Sequence, residues 1–164
     1  MEALRTLCKL LCEFICWIPK QIKTEELIVR IIVHPYHFNK SGKNLSASAL
    51  KSPPDKDEVS VIRHTYRDAD FGKLKAKQLE DENKKFRGFL VWFAGEIRDY
   101  GSEIIDTRNI YCGHADIKHG IIPKRGKPLP PEFNERLNNL IKKAGRYYFE
   151  SNPENPKWTG SQLK

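Results

Sequence analysis

The residues best equipped for chemistry lie between positions 110 and 120, where the chain reads Ile-Tyr-Cys-Gly-His-Ala-Asp-Ile-Lys-His-Gly. Cys112, His114, Asp116 and His119 can each ligate a metal or move a proton. Side chains alternate along an extended segment, so Cys112, His114 and Asp116 share a face if Tyr111 to Ile117 is a strand, and a bend would add His119. Imidazole plus carboxylate suits zinc, manganese or iron, and one open position would make a hydrolytic site. Without metal, His114 is a candidate general base oriented by Asp116. The competing reading is a polar strand end, with solvent-facing histidines and Asp116 capping a turn. Histidine–aspartate pairs are common outside sites, so this second reading is preferred. The spacing names neither a metal nor a cofactor.

Three further sets could bind rather than react. His34 and His37 follow an apolar run, but Pro35 prevents the helical register that would put both on one face. Arg30, Arg63 and His64 could form an anion pocket, because arginine forks suit phosphate. Structural ion pairs with Glu96, Asp99 or Asp106 explain the two arginines with fewer assumptions. The third set is basic: Lys124, Arg125, Lys127, Arg136, Lys142, Lys143 and Arg146, with Tyr147, Tyr148 and Trp158 available for stacking. It could track a phosphate backbone. No helix-turn-helix, zinc finger or RNA-sheet motif accompanies it.

The elements that must position these residues are readable from pattern. Glu26 to His34 is a β-branched run and predicts a strand buried on both faces, with Arg30 inside it. His34 to Pro54 reads as loop. Val59 to Arg63 predicts a second strand, and Asp68 or Asp70 caps a helix reaching to about Asn83. Phe86 to Ile97 is the strongest core strand. Tyr100-Gly101-Ser102 turns the chain into a strand candidate, Glu103–Tyr111, which suggests an antiparallel hairpin. Pro130-Pro131 opens a last helix with a stripe of Phe133, Leu137, Leu140, Ile141, Ala144 and Tyr148. The tail is extended, with Trp158 pinning it to the body. This order predicts an α+β fold: a small mixed or mainly antiparallel sheet with packed helices and an N-terminal amphipathic helix. No Gly-rich phosphate loop follows any strand.

The N-terminal segment, Met1 to Ile18, has helical period. Leu4, Leu7, Leu11, Phe14 and Ile18 form an apolar seam opposite Arg5, Lys9 and Glu13. Its uninterrupted apolar stretch is too short to span a bilayer, and no cleavage-site pattern follows it. It is therefore expected as a unit of residues 1–19, docking on its own domain (residues 24–164), on a protein partner or on a membrane surface. Cys8, Cys12 and Cys16 lie along one stripe where mutual disulfide geometry is poor. With Cys112 alone, free thiols and a reducing cytoplasm are expected.

At 164 residues and 39% hydrophobic content, the chain can bury a core without metal or cross-links. Its formal charge of +8 is uneven. Residues 118–164 carry 10 Lys/Arg against 4 Asp/Glu, which favours an anionic partner.

The strings His34-Pro-Tyr-His-Phe38, Glu58-Val-Ser-Val-Ile-Arg63 and His114-Ala-Asp-Ile117 resemble small uncharacterised bacterial proteins of defence and mobile-element neighbourhoods. The likeness covers scattered segments of residues 26–160. It implies a bacterial accessory protein beside a larger nucleic-acid-processing partner, and transfers no functional residue. The leading expectation is a basic accessory or adaptor subunit. It would dock through Leu4, Leu7, Leu11, Phe14 and Ile18 and contact nucleic acid or another anionic partner. The rival is a small hydrolase of phosphodiesters or nucleotides using His114, Asp116 and His119, with Arg63 receiving phosphate.

Overall fold

A computed structural model describes residues 16–164. Its frame is one antiparallel sheet of six strands: β1 (Leu27–His34), β2 (Val59–Arg63), β3 (Lys85–Phe93), β4 (Glu103–Asp106), β5 (His114–Lys118) and β6 (Arg146–Phe149). They lie side by side in the order β4-β5-β2-β1-β3-β6. The helices are α1 (Ala69–Leu79), α2 (Ala94–Asp99) and α3 (Pro131–Asn139), the last running into a π-helical turn, Leu140–Ala144. An α+β fold with an antiparallel sheet matches the sequence expectation.

Alternation along the central strands divides the core in two. Ile28, Ile32, Leu90, Trp92, Val59, Val61, Ala115 and Ile117 point to one face, under α3 and a short 3-10 turn, Ala47–Leu50. Val29, Ile31, Val33, Ile62, Phe89 and Val91 point to the other, which receives Ala76 of α1 and the tail residue Leu163. Being covered on both faces, β1 and β3 read as nearly continuous apolar runs. Asp68 caps α1 as expected, accepting from the Phe71 N–H at 2.8 Å. Trp158 stacks its ring 4.8 Å from Phe89, so the tail is pinned as its lone tryptophan suggested.

Three expectations fail for identifiable reasons. The strand beginning near Phe86 stops at Phe93, and α2 begins at Ala94, where the Glu96 carboxylate accepts from the Phe93 N–H at 2.7 Å. That helix carries the chain across the molecule, so β4 pairs with β5 at the far edge instead of forming a hairpin with β3. The last helix ends at Ala144, because the Leu140 carbonyl accepts both the Gly145 N–H at 2.9 Å and the Trp92 indole N–H at 3.0 Å. After Gly145 the chain becomes β6, an edge strand paired to β3 that contains Tyr148.

Leu4, Leu7, Leu11 and Phe14 lie outside the described residues. Cys16 to Ile18 are irregular rather than helical. Ile18 is buried within this domain, 2% exposed, so it does not extend a free docking ridge. Cys16 forms a disulfide with Cys112, Cα to Cα 5.3 Å, across 96 positions of sequence. That cross-link removes Cys112 from the candidate ligands and overturns the expectation of free thiols at these two positions. No helix among the described residues is long and apolar enough to cross a membrane.

Candidate functional site

The structure separates the three residues proposed as a hydrolytic centre. His114 and Asp116 stand on β5 facing the α1 side, where the imidazole meets Tyr111 edge-on at 4.9 Å. His119 follows the strand and turns to the opposite face, packed edge-on against Phe133 of α3. Both of its ring nitrogens are engaged. Nε2 lies 2.9 Å from the Leu50 carbonyl, which can only accept, so Nε2 carries the proton and Nδ1 accepts from Ser102 Oγ at 2.8 Å. Burial lowers the pKa of His119 and of His114, opposed for His114 by the carboxylates of Asp116 and Asp106. Among the described residues no group of three or more His, Cys, Asp or Glu side chains is arranged to hold a metal ion. His37 is also structural: its Nδ1 accepts from the Val33 N–H at 3.2 Å, and burial, then Arg30, pull its pKa down to about 3.

Arg63 is committed elsewhere. Its guanidinium is buried and grips Glu26 through Nε and Nη2 at 2.9 and 2.8 Å, and Asp106 through Nη1 at 2.6 Å. The ion-pair reading therefore holds for Arg63 through Asp106, with Glu26 as a partner that the sequence did not indicate. These occupied donors leave Arg63 poorly placed to receive phosphate.

Of the seven basic residues in the C-terminal set, three are largely neutralised or structural. Arg146 forks onto Glu96 at 2.9 and 2.8 Å. Arg136 donates to the Gly101 and His119 carbonyls. Lys124 meets Asp55 at 3.1 Å on the surface. Arg125 and Lys127 are exposed on the turn that follows, and Lys143 is exposed beside Lys142. The set does not form one continuous patch, although Lys142 joins a different one.

That patch lies along the β6 edge. A cavity of about 490 Å³ opens between the 38–46 loop and the π-helical turn, lined by Phe38, Lys43, Asn138, Lys142 and Tyr147 among others. A second, of about 280 Å³, shares Phe38, Lys43 and Tyr147 and adds His34, Arg87 and Phe149. Together they make a groove bearing three cations, with no carboxylate lining it among the described residues. Alternation along β6 sends Tyr147 and Phe149 to the groove, 37% and 55% exposed. Phe38 meets Tyr147 edge-on at 6.4 Å, and the Tyr147 hydroxyl donates to the Arg87 carbonyl at 3.0 Å. Burial raises the Tyr147 pKa to about 12, so the phenol stays neutral. Tyr148 and Trp158, also candidate stacking residues, pack into the α1-side core instead.

The signal for this groove was present but dispersed. Lys43 lies in a loop, Arg87 in an apolar strand and Phe149 beyond a helix whose period appeared to continue. Only the fold brings positions 34–46, 87 and 142–149 together.

No protein-family model matches the chain, and comparison with curated proteins and with solved structures finds no match.

Proposed function

We propose that this protein is a nucleic-acid-binding module that holds a single-stranded segment along its β6 edge. The observation that carries the reading is the pair of adjoining cavities in which Lys43, Arg87 and Lys142 surround the exposed rings of Tyr147 and Phe149. Lysine and arginine neutralise phosphates, and aromatic faces stack on bases of any sequence. A duplex is disfavoured, because its bases are already stacked on one another and cannot use the exposed rings. Asn138 and Asn44, at the rim, can hydrogen-bond to phosphate or sugar without adding charge.

An accessory role beside a larger protein remains part of this proposal. Its docking residues Leu4, Leu7, Leu11 and Phe14 lie outside the described residues, so the support is the amphipathic pattern of that segment. The compartment is a further part. Disulfides persist where the surroundings are oxidising, so the Cys16–Cys112 bond weighs against the reducing cytoplasm expected from cysteine spacing.

Fluorescence anisotropy of a labelled single-stranded oligonucleotide tests the proposal. Charge reversal at Lys43 and Lys142 is expected to abolish binding while leaving the fold intact. The same reversal at Lys124, which is exposed and paired with Asp55, is expected to leave it nearly unchanged. Equal loss from both variants would contradict a defined groove.

A further inference from the structure

A third cavity, of about 370 Å³, lies on the α1 side of the sheet, away from the β6 edge. Its floor is the sheet surface around Val29, Ile31 and Ile62, and its walls are the C-terminal half of α1 and the loop carrying Ile110 and Tyr111. The rim residues Leu79 and Ile110 are 54% and 56% exposed, large apolar side chains left in water at the entrance. Lys75 and His114 line it from this face, and Arg30, whose strand register sets it beside Ile28 and Ile32, lines it from between β1 and β2.

Arg30 is the unusual member. Strands β1 and β2 share only two register pairs, Ile28 with Arg63 and Val29 with Ile62. Immediately beyond them the Arg30 side chain serves as the donor, Nη1 giving to the Ser60 carbonyl at 2.7 Å and Nε to the Ala49 carbonyl at 3.2 Å. Neither acceptor carries a charge, and among the described residues no carboxylate reaches ion-pair distance of it. Among the described residues, the cations that are fully or nearly fully buried are each matched: Arg63 with Glu26 and Asp106, Lys73 with Glu150, Arg108 with Asp106. Burial lowers the Arg30 pKa only to about 10, so it is cationic at neutral pH, and Asp116 provides a remote counter-charge. Arg30 is partly exposed and has no paired carboxylate, so its guanidinium is open to an incoming anion. A bound anion would supply the missing partner.

Lys75 supplies a second positive charge at the entrance, its ammonium 4.7 Å from the centre of the Tyr111 ring. His114 supplies a neutral ring, with Nδ1 2.6 Å from Thr107 Oγ1 and Nε2 left without a protein partner among the described residues.

We infer that this cavity binds a small amphipathic monocarboxylate, its carboxylate held by Arg30 and Lys75 and its hydrocarbon body laid on Ile62, Leu79 and Ile110. A phosphate monoester fits less well. Part of the Arg30 fork is already spent on carbonyls, and Asp116 opposes a second negative charge. An uncharged hydrocarbon would leave Arg30 as it is.

Calorimetric titration of the full chain tests this, with decanoate as the probe, decanol as the same body without charge, and inorganic phosphate as charge without body. Decanoate is expected to bind saturably, with decanol and phosphate each at least about tenfold weaker, the worth of one charge-assisted contact or of the apolar wall. Lys75→Gln, a substitution on the surface of α1, should weaken decanoate by about tenfold without altering the fold. Arg30→Gln, which keeps donors for the two carbonyls, should weaken it further. The inference is overturned if decanoate gives no saturable heat, if decanol binds equally well, if phosphate binds as tightly as decanoate, or if Lys75→Gln leaves decanoate affinity unchanged. Binding of decanoate that survives charge reversal at Lys43 and Lys142 separates this cavity from the β6 groove. Loss of decanoate binding in that variant would overturn the assignment to this cavity.

Discussion

Arg63 and Glu26 are joined by two parallel hydrogen bonds, Nε to Oε2 at 2.9 Å and Nη2 to Oε1 at 2.8 Å, with both side chains buried. The free corner of the same guanidinium reaches Asp106, which in turn grips Arg108. This chain of charges ties the residue before β1 to the end of β2 and the end of β4. It also anchors the incoming chain, since Arg63 donates to the carbonyls of Pro19 and Gln21. Replacing one member strands the others in a dry interior. Glu26→Gln should therefore destabilise the fold by about 3–5 kcal/mol, read as a lower midpoint in urea denaturation. A change within about 0.5 kcal/mol would mean that the network is solvated.

The cross-link acts on the unfolded chain. Closing a loop of 96 positions is worth about 4–5 kcal/mol in the chain-entropy account. Cys112→Ser should lower the urea midpoint in buffer without reductant, and added reductant should bring the parent down to the same midpoint. Alkylation of thiols at the moment of cell lysis, followed by mass spectrometry, should find Cys112 protected. Full alkylation of Cys112 would return the protein to a reducing compartment.

Acid should unfold the protein partly through its histidines. His37, His64, His114 and His119 all have lowered pKa values, burial being the largest cause for each. For His37 the folded value is about 3, against 6.5 for the free side chain. The unfolded chain therefore takes up a proton below pH 6.5 that the folded chain refuses until about 3. Stability is full above 6.5 and falls as the pH drops through that window, by up to about 1.4 kcal/mol per pH unit for each such histidine. His37→Gln should have a shallower decline of urea stability between pH of about 7 and about 5 than the parent. An unchanged slope would contradict the burial of a neutral imidazole.

Gly88 holds β6 in place. It lies at φ +145°, and a Cβ there would meet the Tyr148 carbonyl oxygen at 2.0 Å. Gly88→Ala should push β6 from the sheet edge, increase amide exchange across residues 146–149 and weaken oligonucleotide binding together. Retained binding with a displaced strand would separate the groove from β6.

Much of the frame was legible because burial leaves a strong trace. Continuous β-branched runs marked β1 and β3, and Asp68 marked the start of α1. The strand β6 was not legible, since Tyr148 falls four residues after Ala144 and continues the helical stripe, while Gly145 alone signals the break. The pairing of β4 was hidden because α2 is too short to show a period. Among the candidate residues, alternation correctly put His114 and Asp116 on one face, and the same alternation places His119 with Ala115 and Ile117 on the other, so the bend expected to gather it in does not occur. Which acid meets which arginine depends on the fold: Asp106 meets Arg63 as considered, whereas Glu96 meets Arg146 and Arg30 meets only carbonyls. Sequence position alone did not show which C-terminal cations have protein partners: Arg136 donates to backbone carbonyls and Arg146 forks onto Glu96.

Stacking can be separated from charge. Phe149→Ala removes an exposed ring without touching a cation, and should cost about 1–3 kcal/mol in oligonucleotide affinity at any salt concentration.

The most direct measurement is the salt dependence of single-strand binding. Each phosphate neutralised contributes about 0.7 to the slope of log affinity against log salt, so Lys43, Arg87 and Lys142 together predict a slope near about −2. Neutralising the two lysines, with Lys43→Gln and Lys142→Gln, should flatten it toward about −0.7, the share left to Arg87. A parent protein whose affinity does not change with salt, or a slope unaltered in the variant, would contradict the groove as the place where the strand is held.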